Sequence, residues 1–286
     1  MFQFSIKKFA LPAIIIAGLL ATAAPVHAAD TSNLSKDQIE QIVHDYLMAH
    51  GDVILNSVDT YQKKDVNDRQ AAALKVNHDE LFNNEKSPFI GNPKGDVTMI
   101  EFFDYNCHYC KDVFPTLKSL TENDKNLKII FKDFPILAPS SETAAKWALA
   151  AQRQNKYFEF HQKMMEHKGP ITDEDIEKVA KSVDLDLSAA RTYVDSTDAM
   201  MQLERNRALA QQMAFNGTPS FVINDTAFSG VPDKEDLKTK IAEARKNDAA
   251  KTDDKAADDK PAGDKPADDK KADDKDSLTG KDDMKQ

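Results

Sequence analysis

Cysteine is close to absent: the chain has two in 286 residues. Both fall in one tetrapeptide, Cys107-His108-Tyr109-Cys110. That leaves three uses for them: a structural staple, half a metal site, or a working dithiol. Positive charge is also short, with 38 Lys and Arg against 48 Asp and Glu, a net charge of −10. Phosphate contacts need a basic surface, so nucleic acid is not an expected partner. Long apolar runs are missing after the first two dozen residues. Nothing there approaches the roughly 20 residues that span a bilayer. Ligand-like histidine spacing is missing too: His44, His50, His78, His161 and His167 are scattered.

The two ends have compositions of their own. Lys7 and Lys8 precede an apolar run from Phe9 to about Ala24, and Val26-His27-Ala28 fits a small-x-small cleavage pattern. Residues 1–28 are therefore expected to be a secretory signal peptide, with a retained anchor as the alternative. Export places the chain where disulfides persist. Residues 247–286 consist mainly of Asp, Lys, Ala and Pro. They offer almost nothing to bury and are expected to be a disordered, solubilising tail. About 215 residues lie between these ends, enough for one catalytic domain and a small appendage.

Residues 29–86 read as a helical segment. Ser35 followed by Gln38 makes a capping box, and Ile39, Ile42, Val43, Tyr46 and Leu47 then share one helix face. His50-Gly51 ends that helix. A second helix carries Val53, Ile54, Leu55, Val58 and Tyr61, and a third carries Leu74, Leu81 and Phe82. Pro88, Gly91, Pro93 and Gly95 punctuate a loop. Val97 to Phe103 is an apolar, β-prone run. A helix with Phe114, Leu117 and Leu120 on one face follows, and Leu127 to Phe134 gives a second strand. The dithiol thus sits at a strand-to-helix junction inside a β-α-β unit. Helices alone fill residues 139–212, the first of them capped by Ser140 or Ser141. Strands at Ser220 to Ile223 and Ala227 to Ser229 follow, and a last helix carries Leu237, Ile241 and Ala244. Residues 87–246 are expected to form an α/β domain: a small sheet with a helical insertion.

Residues three apart on a helix face the same way, so two cysteines at this spacing can close a short disulfide with little backbone movement. With Asn106 or Asp104 as cap, Cys107 is placed at the first helical position. Unpaired N–H groups and the helix dipole favour a thiolate there, and a protonated His108 adds to this. A stabilised thiolate makes the disulfide oxidising. Cys107 is expected to be the exposed, attacking sulfur and Cys110 the deeper, resolving one. A staple this short constrains the unfolded chain little. A zinc site needs about four ligands, and one CxxC supplies two. Neither a metal nor a cofactor is expected.

Two further residues are unusual. Glu101 interrupts the strand "VTMIEFF". Either it is a strand-end acid reaching solvent, or it is desolvated and exchanges protons with Cys110. Pro219, after Thr218, opens a strand. It is either a turn proline or a cis-proline beside the dithiol, where the Thr218 backbone can pair with an extended substrate.

Together, "IEFFDYNCHYC", "FKDFPIL", the helical insertion and "NGTPSFVINDTAFSG" resemble the DsbA-like exported thiol–disulfide oxidoreductases of the thioredoxin superfamily. The resemblance covers about residues 87–246. It implies a thioredoxin fold, Cys107 as nucleophile, Cys110 as resolving thiol, Pro219 in cis, and Glu101 at the family's buried acid. It also implies cysteine-bearing exported proteins as substrates, a membrane partner that recycles the dithiol, and a periplasmic or other exported location. The pair His108-Tyr109 and the residue Thr218 depart from the family's strongest oxidases, which carry Pro-His and usually valine. They look more like exported isomerases and reductases, with Tyr109, Thr218 and Pro219 facing substrate. The helical segment 29–86 is similar to segments that make dimers or trimers in such relatives, and a dimer is favoured over folding back on the domain. The other reading is a thioredoxin-fold chaperone or surface protein whose dithiol does not turn over.

Overall fold

The computed structural model describes residues 34–258. The expected signal peptide, and the part of the expected tail after Asp258, lie outside the described residues.

The chain divides into two compact units, at Asp59/Thr60. The first holds α1 (Lys36–Ala49) and the start of α2 (Gly51–Val76). The expected capping box is present: Ser35 and Gln38 exchange side-chain and backbone hydrogen bonds at the head of α1. α1 buries no residue, and Ile39, Ile42, Val43 and Tyr46 are each about half exposed.

The second unit holds a five-stranded sheet in the order β1-β3-β2-β4-β5. The strands are β1 (Phe89–Gly91), β2 (Val97–Phe103), β3 (Leu127–Asp133), β4 (Ser220–Ile223) and β5 (Thr226–Ser229). β2 and β3 are parallel, joined through α3 (His108–Asn123); all other neighbours are antiparallel. Between β3 and β4 comes the expected insertion: α4 (Pro139–Arg153), α5 (Tyr157–Glu166), α6 (Asp173–Ser182), α7 (Leu187–Val194) and α8 (Thr197–Gln212). α9 (Lys234–Asp258) closes the unit. This is a thioredoxin fold with a helical insertion.

β2 is apolar on both sides because the sheet is covered on both sides. Val97, Met99 and Phe103 join one core with α3, α5 and α9. Ile100 and Phe102 join a second core with Leu74, Leu81, Leu209 and Met213. Side chains of a strand alternate between faces, so Glu101 shares the first face with Met99 and Phe103.

Four expectations are corrected. The second and third N-terminal helices are one 26-residue helix, α2, followed by a π-helical turn at Asp79–Asn83. No Gly or Pro stands between Gly51 and Pro88 to break it. For the same reason the unit boundary falls at 59/60 and not at 86/87: Ala73, Leu74 and Leu81 belong to the second core. The loop read at Pro88–Gly95 contains β1, an edge strand of three residues. Gly91 there has φ +86°, and a Cβ on it would stand 2.3 Å from the Leu127 carbonyl oxygen. Finally, α9 runs through the first twelve residues of the expected tail to Asp258. That stretch holds four Ala and two Lys beside four Asp, and it is free of Gly and Pro, the strongest helix breakers. Asn224 donates to Asp248 within it.

Candidate active site

The dithiol lies where β2 ends and α3 begins. A clasp at Asp104 fixes this junction. One of its carboxylate oxygens accepts from Asn106 N–H at 2.7 Å. The other accepts from Ile136 and Leu137 N–H at 2.8 and 2.9 Å, tying the loop after β3 to the loop after β2. The Asn106 side-chain amide donates to Ser140 and Ser141 hydroxyls, which links the same turn to the head of α4. Those hydroxyls therefore do not cap α4, as the sequence suggested. Its N-cap is Ala138, with Pro139 in the first turn.

Cys107 is the N-cap residue of α3, one position earlier than expected from Asn106 or Asp104 capping. Its φ and ψ of −77° and 112° are extended, and its own sulfur accepts the Cys110 N–H at 3.3 Å. The cap role normally taken by a Ser or Asp oxygen is taken here by sulfur. Both cysteines are free and buried, Cys107 at 3% exposure and Cys110 at 0%. The expectation of an exposed Cys107 is thus corrected. The loop before β4 covers it: the Thr218–Pro219 peptide is cis, and the Cys107 thiol donates to the Thr218 carbonyl at 3.2 Å. The Thr218 hydroxyl is itself buried, without a hydrogen-bond partner among the described residues.

The two thiols are driven apart in acidity. Hydrogen bonding from the Cys110 thiol, aided by the N–H groups of Cys110 and Tyr109, outweighs burial and lowers Cys107 to about 6. Burial first, then the Cys107 sulfur and Glu101, push Cys110 far up. His108 is exposed, and its Nε2 pairs with Asp112 one turn along at 3.2 Å. Tyr109 is also exposed, at 58%, and lies against His108. Reduced chain is expected to show one thiolate forming with a midpoint near pH 6, read by thiolate absorbance and by alkylation with mass mapping. Equal labelling of both cysteines at pH 6 would contradict the assignment.

Glu101 is fully buried, and neither carboxyl oxygen has a hydrogen-bond partner among the described residues. Desolvation, then the charge of Cys107, raises its pKa well above the ordinary range. The strand-end, solvent-reaching alternative is therefore excluded. Sequence reasoning took Asp104 and Asn106 only as helix caps and missed their clasp, and it missed a second buried acid, Asp133, at the end of β3. It also missed Tyr105, Tyr157 and His161, which bury their polar atoms nearby. One signal was present: Lys132-Asp133 interrupts an apolar strand just as Glu101 does.

A thioredoxin-type sheet that sets a helix-capping dithiol against a cis X-Pro loop defines a thiol–disulfide oxidoreductase. The family model described as a DSBA-like thioredoxin domain matches residues 98–242, half of the chain, and the chain belongs to that family. Among solved structures, it is similar to a thioredoxin-like oxidoreductase from Silicibacter pomeroyi. That likeness has 38% identity and TM-score 0.57, and covers 59% of this chain and 97% of the other. A linker-deletion mutant of Proteus mirabilis ScsC, which also carries a point substitution, matches at 26% identity and TM-score 0.60, over 75% of this chain and 98% of that one. Among curated proteins, disulfide bond formation protein D of Bacillus subtilis is 26% identical over 174 residues, 56% of this chain and 77% of its own length. The chain spans only about a quarter of some relatives it matches. Na(+)/H(+) antiporter NhaA 1 of Salinispora arenicola is 26% identical over 156 residues, which is 54% of this chain and 24% of that protein.

Proposed function

We propose that the chain is an exported oxidoreductase that forms and isomerises disulfides in client proteins. The observation that carries this reading is the pairing of a low-pKa sulfur with a deeply buried thiol, under the Thr218 carbonyl. Cys107 attacks, or is attacked by, a client sulfur; Cys110 resolves the mixed disulfide. Glu101 exchanges the proton of Cys110. The Thr218 and Pro219 backbone lines up an extended client segment, with Tyr109 at its edge. Clients are cysteine-bearing exported proteins in the periplasm or a comparable compartment, and a membrane partner resets the dithiol. Among the described residues no helix is long and apolar enough to cross a membrane.

In this reading the N-terminal unit assembles copies of the chain, with a dimer favoured. Two observations support it. The α1 stripe of Ile39, Ile42, Val43 and Tyr46 is left about half exposed, and covering apolar area contributes roughly 25 cal/mol per Å². The likeness to the ScsC mutant also extends over more of the chain than the family domain does. A shared cleft between dithiols suits isomerisation, where a misfolded client must be held while bonds are reshuffled.

Insulin reduction and recovery of scrambled ribonuclease test the activity, and sedimentation tests the assembly. The mature chain is expected to sediment as a dimer and to rescue scrambled ribonuclease. Ile42→Glu with Val43→Glu is expected to give a monomer that keeps insulin reduction and loses most isomerase activity. A mature chain that is monomeric at micromolar concentration would refute the assembly. A dithiol inactive in both assays would refute the enzyme and favour a chaperone that only holds clients.

A further inference from the structure

Glu101 is not alone under the dithiol. β2 and β3 run parallel with Phe103 beside Asp133 and Glu101 beside Phe131. Glu101 and Asp133 therefore stand on the same face of adjacent strands, one diagonal step apart. The spacings of a sheet put their Cα atoms about 8 Å from each other. The face is the one that carries α3: Phe131 belongs to its core, whereas the next residue after Asp133, Phe134, belongs to the opposite one. Asp133 is 1% exposed, and like Glu101 it has no hydrogen-bond partner for either carboxyl oxygen among the described residues.

The surroundings of the pair are also polar and closed. Tyr105 Oη and His161 Nδ1 are 3.0 Å apart. Tyr157 stacks on His161 with ring centres at 5.4 Å. Tyr157 Oη and His161 Nε2 are buried and unpartnered among the described residues. The titratable groups around Asp133 are Asp104 and Tyr105 from the loop after β2 and Tyr157 from α5, with His161 stacked on Tyr157 and Glu101 one diagonal step away on β2; the Cys110 thiol of α3 lies beyond Glu101. From α8, Asn206 donates to the Asp133 backbone carbonyl, which leaves the carboxyl untouched. Among the described residues, no cation is near enough to neutralise a carboxylate here. Lys132, the adjacent residue, turns to the other side, where it donates to the Glu80 carbonyl and the Ser87 hydroxyl.

An ionised carboxylate without donors is costly in such a site. Burial accordingly raises both acids far above the ordinary carboxylate range. Each acid therefore favours its protonated form, and a charge left on either calls for a proton.

We propose that Asp133 is the second proton carrier of the dithiol site, sharing one proton deficit with Glu101 so that the pair, and not Glu101 alone, serves Cys110. Asp133 touches neither sulfur and acts through Glu101; it is a positioning residue for the proton. In the step concerned, an incoming thiolate attacks Cys107 of the Cys107–Cys110 disulfide. The new sulfur–sulfur bond forms, the old one breaks, and its electron pair leaves on Cys110. Cys110 takes a proton from Glu101, Glu101 recovers one from Asp133 by way of the Tyr105 and Tyr157 hydroxyls, which feel the charges of both acids, and a solvent proton restores Asp133. Resolution of the mixed disulfide runs the same path backwards.

The proposal rests on the dithiol chemistry of the family and not on whether clients are oxidised or isomerised. Its test therefore uses small thiols only. Infrared difference spectra of the intact, unsubstituted chain, oxidised against reduced with dithiothreitol, are expected to show two protonated-carboxyl bands that shift together and respond to deuterium. A single redox-sensitive carboxyl band would overturn the proposal without any variant having to fold. Asp133→Asn is expected to remove one band and displace the other. It should slow glutathione attack on the disulfide about tenfold and move the pH at which the rate falls. The double variant with Glu101→Gln should be no slower than Glu101→Gln alone, since both act on one path. An unchanged pH profile, or slowing that multiplies in the double variant, would overturn it. A chain that shows both bands but handles no protein client would keep this inference and lose the proposed function.

Discussion

Cys110→Ser in the full chain is expected to stop turnover and leave the protein covalently attached to its clients. The Cys110 thiol, the largest of the contacts that lower Cys107, is lost in this variant, but the serine hydroxyl can donate in its place and the backbone N–H of position 110 remains. The Cys107 sulfur can still open a client disulfide or be captured by one. The second attack requires a sulfur at position 110, and no other cysteine exists in the chain. Turnover should fall by on the order of 10³ or more, as when a nucleophile is removed from a coupled pair. Non-reducing electrophoresis of exported proteins should show a ladder of mixed disulfides that collapses with dithiothreitol. Cys107→Ser should show none. More trapping by Cys107→Ser than by Cys110→Ser would reverse the two roles.

Glu101→Leu is expected to make the chain more stable and its dithiol slower. The carboxyl is buried without partners among the described residues, and a neutral group of similar volume removes that desolvation cost. The sign of the pH effect follows from the raised pKa. The folded chain holds a proton at Glu101 that the unfolded chain releases above about pH 4.5. Stability is therefore full below that pH and declines as pH rises towards the folded value, by up to about 1.4 kcal/mol per pH unit. At pH 7 the gain from Glu101→Leu should be about 1–3 kcal/mol, and it should shrink towards zero near pH 4. Denaturant unfolding of the oxidised chain at pH 5 and pH 8 measures this. The oxidised form is used because Cys107 has the opposite sign: its lowered pKa gives the reduced chain stability that is present above about pH 9 and lost as pH falls through about 6. A Leu variant less stable than the parent at pH 8 would show that Glu101 has a favourable partner.

Much of this arrangement can be read in the residue order. The apolar run Val97 to Phe103, the CxxC at its end and the Thr-Pro before Ser220 each carry a local signal. Their union follows from pairing β2 with β4, which sets Phe102 opposite Ser220 and brings the dithiol to the proline loop. Other features had no local signal. β1 is three residues long, too short for alternation to show, and forms only because β3 offers an edge. Tyr157 and His161 reach the site from α5, more than twenty residues after Asp133, and look like any aromatic pair on an amphipathic helix. Ser140 and Ser141 read as caps because serine before a helix usually caps it. Here Asn106, 34 residues earlier, claims their hydroxyls. The first twelve tail residues were misjudged by weighing burial alone, whereas a helix already started by Leu237 and Ile241 extends at little cost through a stretch free of Gly and Pro.

The sulfur of Cys107 that reacts is also the atom that starts helix α3. This decides which inactive form is the sound control for experiments in cells. Serine is among the best N-cap residues, so Cys107→Ser silences the chemistry and keeps the helix start. Alanine cannot accept the Cys110 N–H and forfeits about 1 kcal/mol of helix stability. A phenotype seen with Cys107→Ala and absent with Cys107→Ser would then report a weakened protein and not a lost reaction.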